Sequence, residues 1–171
     1  MPRQKPGKSK QDYQTPVEFL DTVKKRLQIN EFVWDLAASR ENTVAPSYYD
    51  EEMDSLIQSW VFDGWNWLNP PYADIESWVT KAAIEAQKGA HIAMLVPASV
   101  GADWWLEWVE PYAYVSFLNG RLCFIPDWET QVDDDGERVF KAKPLYPKDC
   151  ALLLYTPWRM TGHEIWNWSG K

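Results

Sequence analysis

The sequence predicts an α/β fold with a largely parallel sheet and helices on both its faces. Short apolar runs alternate along the chain with segments of helical period, in the order strand, helix, strand, helix, strand. The chain has 171 residues, 46% hydrophobic and 25% charged, which is the size and mix of one globular domain. No apolar run approaches the roughly 18 residues that a membrane span needs.

The elements follow in order. Thr15-Pro16-Val17-Glu18 reads as a helix start, with Thr15 as N-cap, Pro16 at the first helical position and Glu18 closing a capping box. Val17, Leu20, Val23 and Leu27 form the apolar stripe of that helix. Phe32–Ala38 reads as a buried strand ending in small residues, and a short helix is expected around Glu52–Trp60. Val61–Leu68 is an aromatic-rich strand running into Asn69-Pro70-Pro71-Tyr72. From Asp74 to Lys88, Ile75, Trp78, Val79, Ala82, Ala83 and Ala86 have helical spacing, with Asp74 as cap and Gly89 at the C-terminal stop. His91–Val96 is a strand stopped by Pro97, and Asp103–Val109 is helical. Tyr114–Leu118 and Leu122–Ile125 read as strands around the Asn119-Gly120 turn, Asp135-Gly136 marks a second hairpin, and Cys150–Tyr155 is a late strand.

Charge divides the chain. The net is −8, yet the first ten residues carry Arg3, Lys5, Lys8 and Lys10 and no acid. Residues 1–10 are therefore expected to form a basic tail, either solvated or touching phosphates, and residues 11–171 a single acidic domain. Met1–Lys10 has no apolar core of a secretory signal, which points to the cytoplasm. Many of the twelve tryptophans must serve the core, but so many flat rings also suit a protein that handles unstacked bases.

Several motifs fail. Gly7-Lys8-Ser9 imitates a phosphate-binding loop, but Pro2 stands where its first glycine belongs, and no G-x-G pair exists. Asp133-Asp134-Asp135-Gly136 imitates a calcium loop, but Gln131 and Ala142 occupy its first and last ligand positions. Cys123, Cys150, His91 and His163 have neither metal-ligand nor triad spacing, so no metal is expected.

Asn69-Pro70-Pro71-Tyr72 carries chemistry. It follows a buried strand, where the carboxyl end of a sheet makes a ligand crevice. An exocyclic amine on a base or an amide is planar, with its lone pair delocalised, and must pyramidalise to attack a methyl sulfonium. Two acceptors aimed at its two N–H bonds favour that change, and the Asn69 side-chain oxygen and the Pro70 carbonyl are suited to the task. Pro71 holds Pro70 extended, and Tyr72 offers a face to a flipped base, worth about 1–3 kcal/mol by stacking.

The chain resembles the phage-type, Dam-like DNA N6-adenine methyltransferases. The matching pieces are Tyr13-Gln14-Thr15-Pro16, Asp35-Leu36-Ala37-Ala38-Ser39, Asn42, Trp60, Asn69-Pro70-Pro71-Tyr72, Trp78 with Lys81-Ala82, Leu95-Val96-Pro97, Trp104-Trp105, and Gly120-Arg121 with Phe124. The resemblance implies an abbreviated Rossmann-like methyltransferase fold that uses S-adenosyl-L-methionine and takes DNA as substrate. It implies catalytic roles for Asn69, Pro70, Pro71 and Tyr72. Asp35, Ala37, Ala38 and Ser39 would line the methionine end of the cofactor, with Thr15 and Pro16 closing over it and Tyr13 beside them. Helix capping remains a second use for Thr15 and Pro16. Asp50 and Asp63 are candidates for the acid at the cofactor ribose. Arg121 and the basic tail are the candidate DNA contacts, Arg121 having an ion pair with a surface acid as its alternative. The same tetrapeptide serves enzymes that methylate protein glutamine, RNA guanine or, with variation, cytosine N4, and a non-catalytic binding protein is a further alternative.

Overall fold

The computed structural model describes residues 13–126, 131–132, 138–139 and 146–171. A six-stranded sheet is built from β2 (Trp34–Asp35), β3 (Trp65–Leu68), β4 (His91–Pro97), β5 (Ala113–Asn119), β9 (Cys150–Tyr155) and β10 (Gly162–Asn167). Their order across the sheet is β10-β5-β9-β4-β3-β2. Two small antiparallel pairs lie outside it, β1 (Tyr13–Gln14) with β6 (Ile125–Pro126) and β7 (Gln131–Val132) with β8 (Arg138–Val139).

The sheet is mixed, which corrects the expectation of a largely parallel one. β2, β3, β4 and, across the sheet, β5 and β10 run in one direction, but β9 is antiparallel to both β4 and β5. The cause is the connection. A parallel neighbour needs a crossover, usually helical, whereas a chain that re-enters at the end where the previous strand finished runs back antiparallel. Val96 faces Ala151 and Met94 faces Leu153 across this central pairing.

Helices cover both faces. α1 (Val17–Leu27) puts Phe19, Leu20 and Val23 into one core with Trp67, Leu95, Leu152 and Leu154. α2 (Ile75–Gln87) joins Leu68, Met94, Val96, Leu153 and Tyr155 in a second core on the opposite face. Successive β9 residues thus enter opposite cores, and all six are buried. That accounts for an unbroken apolar run rather than an alternating one.

Other elements are shaped by tertiary pairing. Gly89 (φ +123°) ends α2 as anticipated, with Gly89 N–H bonded to the Ala86 carbonyl and Ala90 N–H to the Glu85 carbonyl, both 3.0 Å. Burial alone would raise the pKa of Glu85 on α2, but Lys81 Nζ (2.8 Å), Trp60 N–H (2.9 Å) and Lys88 Nζ (3.0 Å) hold it below the usual value. The expected strand at 32–38 is reduced to β2, because Ser47–Tyr49 takes over the main-chain bonds of Asp35 on its outer side. The helix expected near Glu52–Trp60 is a single 3₁₀ turn, Ser55–Ile57. Trp105–Val109 is one π-helical turn closed by Glu110 N–H on the Trp105 carbonyl at 3.0 Å. Past Gly120 the chain does not fold back on β5 as a hairpin; β6 pairs with β1 instead, Gln14 facing Ile125. The Asp133–Gly136 tip lies outside the described residues, as does the tail. No helix among the described residues is long and apolar enough to cross a membrane.

Candidate active site

β2 and β3 are parallel neighbours, so Asp35 and Asn69 emerge at the same edge of the sheet, the edge at which open α/β sheets bind ligands. A narrow cleft there is lined by Thr15, Asp35, Ala37, Asn42, Val44, Trp67 and Asn69. Asp35 is 3% exposed. Its Oδ2 accepts from Val44 N–H at 3.0 Å and its Oδ1 from Ala37 N–H at 3.4 Å. Burial pushes its pKa up to about 7, and the two backbone bonds only partly offset that. No Lys, Arg or His among the described residues is within ion-pairing distance of it.

The Asn69 amide nitrogen donates to the Thr15 hydroxyl at 3.2 Å. This corrects the reading of Thr15 as a helix cap. The N-cap of α1 is Pro16, without a side-chain bond, and the Pro16 carbonyl accepts from both Phe19 and Leu20 N–H at 3.1 Å. A residue before proline is kept out of the helical region, so Thr15 stays extended and its buried hydroxyl reaches the end of β3 rather than the helix. Glu18 closes no capping box.

Of the other cofactor candidates, Pro16 caps α1, and Ala38 is buried with its N–H on the Tyr49 carbonyl at 2.9 Å. Ser39 N–H donates to Asn42 Oδ1 at 2.7 Å, which forms the turn leading to Val44. Neither Ala38 nor Ser39 lines the cleft, and Tyr13 belongs to β1. Asp50 accepts from Met53 N–H at 3.0 Å within its own turn, and Asp63 is exposed; neither lines the cleft.

Pro70 is buried, Pro71 is extended (φ −60°, ψ 123°), and Tyr72 opens a short 3₁₀ turn into α2. The Tyr72 ring meets Phe124 nearly edge-on at 6.4 Å and Tyr146 at 6.1 Å. Its hydroxyl is buried without a hydrogen-bond partner among the described residues, and burial pushes its pKa up. Tyr72 belongs to a second, wider cleft of about 330 Å³. One wall is Tyr72–Glu76; Pro97, Ser99, Ala102 and Trp104 form another, and Tyr146 and Lys148 complete it. The tetrapeptide therefore has Asn69 in the first cleft and Tyr72 in the second.

Asn42, Val44, Trp104, Tyr146 and Lys148 were not singled out as site residues by sequence reasoning. Asn42 and Trp104 were visible as matching pieces, whereas Tyr146 and Lys148 sit in a loop with no local signal. Arg121 Nε lies 3.3 Å from Asp149 Oδ1, both side chains being exposed. Arg3, Lys5, Lys8 and Lys10 lie outside the described residues.

Comparison with known proteins places this geometry in context. The chain is 33% identical over 88 residues to a DNA N-6-adenine-methyltransferase of Escherichia phage T1, a match covering 52% of this chain and 37% of that relative. The chain thus aligns with well under half the length of the curated relative. No solved structure matches. The profile of the family described as DNA N-6-adenine-methyltransferase (Dam) matches residues 3–145, most of the chain and both clefts' principal residues. On that match, the chain belongs to the DNA N-6-adenine-methyltransferase (Dam) family.

Proposed function

We propose that the protein methylates the exocyclic N6 of adenine in DNA by direct transfer from S-adenosyl-L-methionine to a base turned out of the helix. The observation that carries this reading is the division of one tetrapeptide between two clefts, Asn69 beside Asp35 and Tyr72 among aromatic rings. The sheet order, with one reversed strand among five that share a direction, supports an abbreviated Rossmann-like methyltransferase fold.

The residues of the first cleft suit the cofactor. Asp35 is a buried carboxylate with no cation beside it among the described residues, and a ligand bearing an ammonium and a sulfonium would favour its ionised form. Ala37 permits close approach of the backbone, and Thr15 and Asn42 offer polar side chains on the cleft wall. The space between them is about 20 Å³, enough for one water. A nucleoside-sized ligand therefore needs a wider cleft than this one. Bound there, the cofactor supplies an electrophilic methyl group.

In the second cleft the Tyr72 ring stacks on adenine, within the roughly 300–1,000 Å³ typical of small-molecule sites. Thr15 holds the nitrogen end of the Asn69 amide, so Asn69 Oδ1 is the end left to accept one N6–H, and the Pro70 carbonyl accepts the other. Both bonds favour the pyramidal amine. Transfer would form the N–C bond as the cofactor's S–C bond breaks, the bonding pair staying on sulfur and the extra N6 proton going to solvent. The amine attacks the methyl group directly, so no protein nucleophile is required; Cys123→Ser and Cys150→Ser are both expected to stay active, and burial pushes the Cys150 thiol pKa up to about 12.

The test is incubation with labelled S-adenosyl-L-methionine and mixed-sequence DNA, followed by digestion to nucleosides. Label is expected in N6-methyl-2′-deoxyadenosine. Label confined to N4-methyl-2′-deoxycytidine, or transfer to RNA or to a glutamine-containing peptide offered in parallel but not to DNA, overturns the substrate assignment, and cofactor binding without transfer to any of these overturns the enzymatic one.

A further inference from the structure

The segment after β4 lies beside the second cleft and has no assigned role. Its backbone is tightly folded. Ser99 N–H bonds to the Pro97 carbonyl at 2.8 Å and Val100 N–H to the Ala98 carbonyl at 3.0 Å, two successive three-residue turns. Ala102 N–H closes on the Ser99 carbonyl and Trp105 N–H on the Ala102 carbonyl, both at 3.0 Å. Ala98 N–H ties the base of the turn to the Asp149 carbonyl at 2.9 Å. Pro97, Ser99 and Ala102 line the cleft, and Val100 stands between them at the tip, 61% exposed. A side chain at the neighbouring Gly101 would meet nothing within 4 Å, so the tip projects into open space.

A single exposed valine is ordinary on a protein surface. This one is held on a rigid turn at the mouth of the cleft that contains Tyr72. We propose that the 98–102 turn is the part of the protein that enters the DNA base stack, with Val100 as an apolar wedge in the gap left when the adenine turns out. The inference rests on the methyltransferase reading above and adds the element that opens the duplex.

An adenine that reaches Tyr72 leaves its neighbours unstacked, and its cost falls when the base is already unpaired or single-stranded. Apolar side chains inserted between base steps restore lost contact at such gaps. Val100 bears no group that must be hydrogen-bonded inside the stack, and its turn need not reorganise to present it. Neither advantage matters when the target adenine is free, so the wedge acts on duplex DNA and not on single strands.

The test measures kcat/KM for adenine methylation on three DNAs of one sequence: a duplex, the duplex with the target adenine mispaired, and the single strand. Val100→Ser should lose about tenfold on the duplex, the change expected for one lost apolar contact, less on the mispaired duplex, and nothing on the single strand. Val100→Leu should restore duplex activity. Leu106→Ser serves as control: Leu106 is 70% exposed on the adjoining π-helical turn, outside the 98–102 turn whose Ser99 and Ala102 line the cleft, so its removal should leave all three rates unchanged. Equal loss by Val100→Ser on all three DNAs, no loss on any, or the same duplex-specific loss in Leu106→Ser overturns the wedge while leaving the methyltransferase reading intact. A wild-type protein that modifies only the single strand does the same. A wild-type protein that modifies no adenine in any DNA overturns the methyltransferase reading, and the wedge with it.

Discussion

The Asn69 side chain has a donor end and an acceptor end, and the Thr15 hydroxyl occupies the donor end at 3.2 Å. Asn69→Ala should lower kcat by on the order of 10²–10³, the effect of removing one preorganised partner of the reacting group, while cofactor binding persists. Thr15→Val, which keeps shape and removes the hydroxyl, should lower kcat more than it raises KM, and Thr15→Ser should restore it; a Thr15→Val enzyme with normal kcat would deny Thr15 this positioning role. Asp35 makes a prediction about pH. Its pKa is 3.8 in the unfolded chain and about 7 when folded. The stabilisation from binding its proton is therefore complete below pH 4 and is lost as pH rises through about 7. Urea midpoints of wild type should fall from pH 5 to pH 8 relative to Asp35→Asn, and parallel curves would refute the burial argument. Ligation by a cation reverses the preference, so cofactor affinity should rise with pH over the same interval. Asp35 and Asn69 were legible in the sequence because each sits in a local motif that ends a strand. The Thr15 bond was not, because its partner is 54 residues away and the helix-start pattern offered the hydroxyl a nearer use.

At the scale of elements, what repeats regularly in the chain was readable and what depends on a distant partner was not. α2 announces itself through its apolar period and Gly89, and β9 through six consecutive apolar residues. β10 was missed. It is an edge strand whose His163, Ile165 and Asn167 are exposed while Glu164 and Trp166 are half-buried against α1, and its polar alternation resembles a surface loop. Distant partners define it: the pairing with β5, the Arg26–Glu164 ion pair, Ser116 Oγ donating to Glu164 at 2.9 Å, and Arg26 over the Trp166 ring at 4.6 Å. The end of α1 gives the prediction at this scale. Gln28 adopts φ 56°, ψ 42°, a left-handed conformation closed by its N–H on Lys25 and by Ile29 N–H on Lys24. A side chain there costs about 1–2 kcal/mol, part of which glycine returns through its greater freedom in the unfolded chain. Gln28→Gly should therefore stabilise the fold by on the order of 0.5–1 kcal/mol. The measurement is a rise in the denaturant midpoint at unchanged slope. Destabilisation would mean that the Gln28 side chain makes a stabilising contact that outweighs its backbone strain.

Taken whole, the molecule carries a net charge of −8, and a DNA-binding surface on it has to be local. The sequence suggested Arg121 and the first ten residues. The fold adds Lys148, exposed at the rim of the Tyr72 cleft, and sets Arg121 against Asp149. These cations differ in what they have available for phosphate. An Arg–Asp pair is close to neutral from a distance, whereas Lys148 has no carboxylate within salt-bridge distance among the described residues. Each duplex phosphate neutralised contributes about −0.9 to the slope of log K against log salt. Lys148→Ala should flatten that slope by about one such contact, and Arg121→Ala should leave it nearly unchanged. Equal flattening by both would show that the Arg121–Asp149 pair opens on DNA. Deletion of residues 1–10 removes four cations and no acid. It should weaken binding to all sequences alike, flatten the slope by more than Lys148→Ala does, and leave cofactor affinity unchanged. A slope untouched by the deletion would assign the whole electrostatic contact to the cleft rim and make the first ten residues a solvated tail.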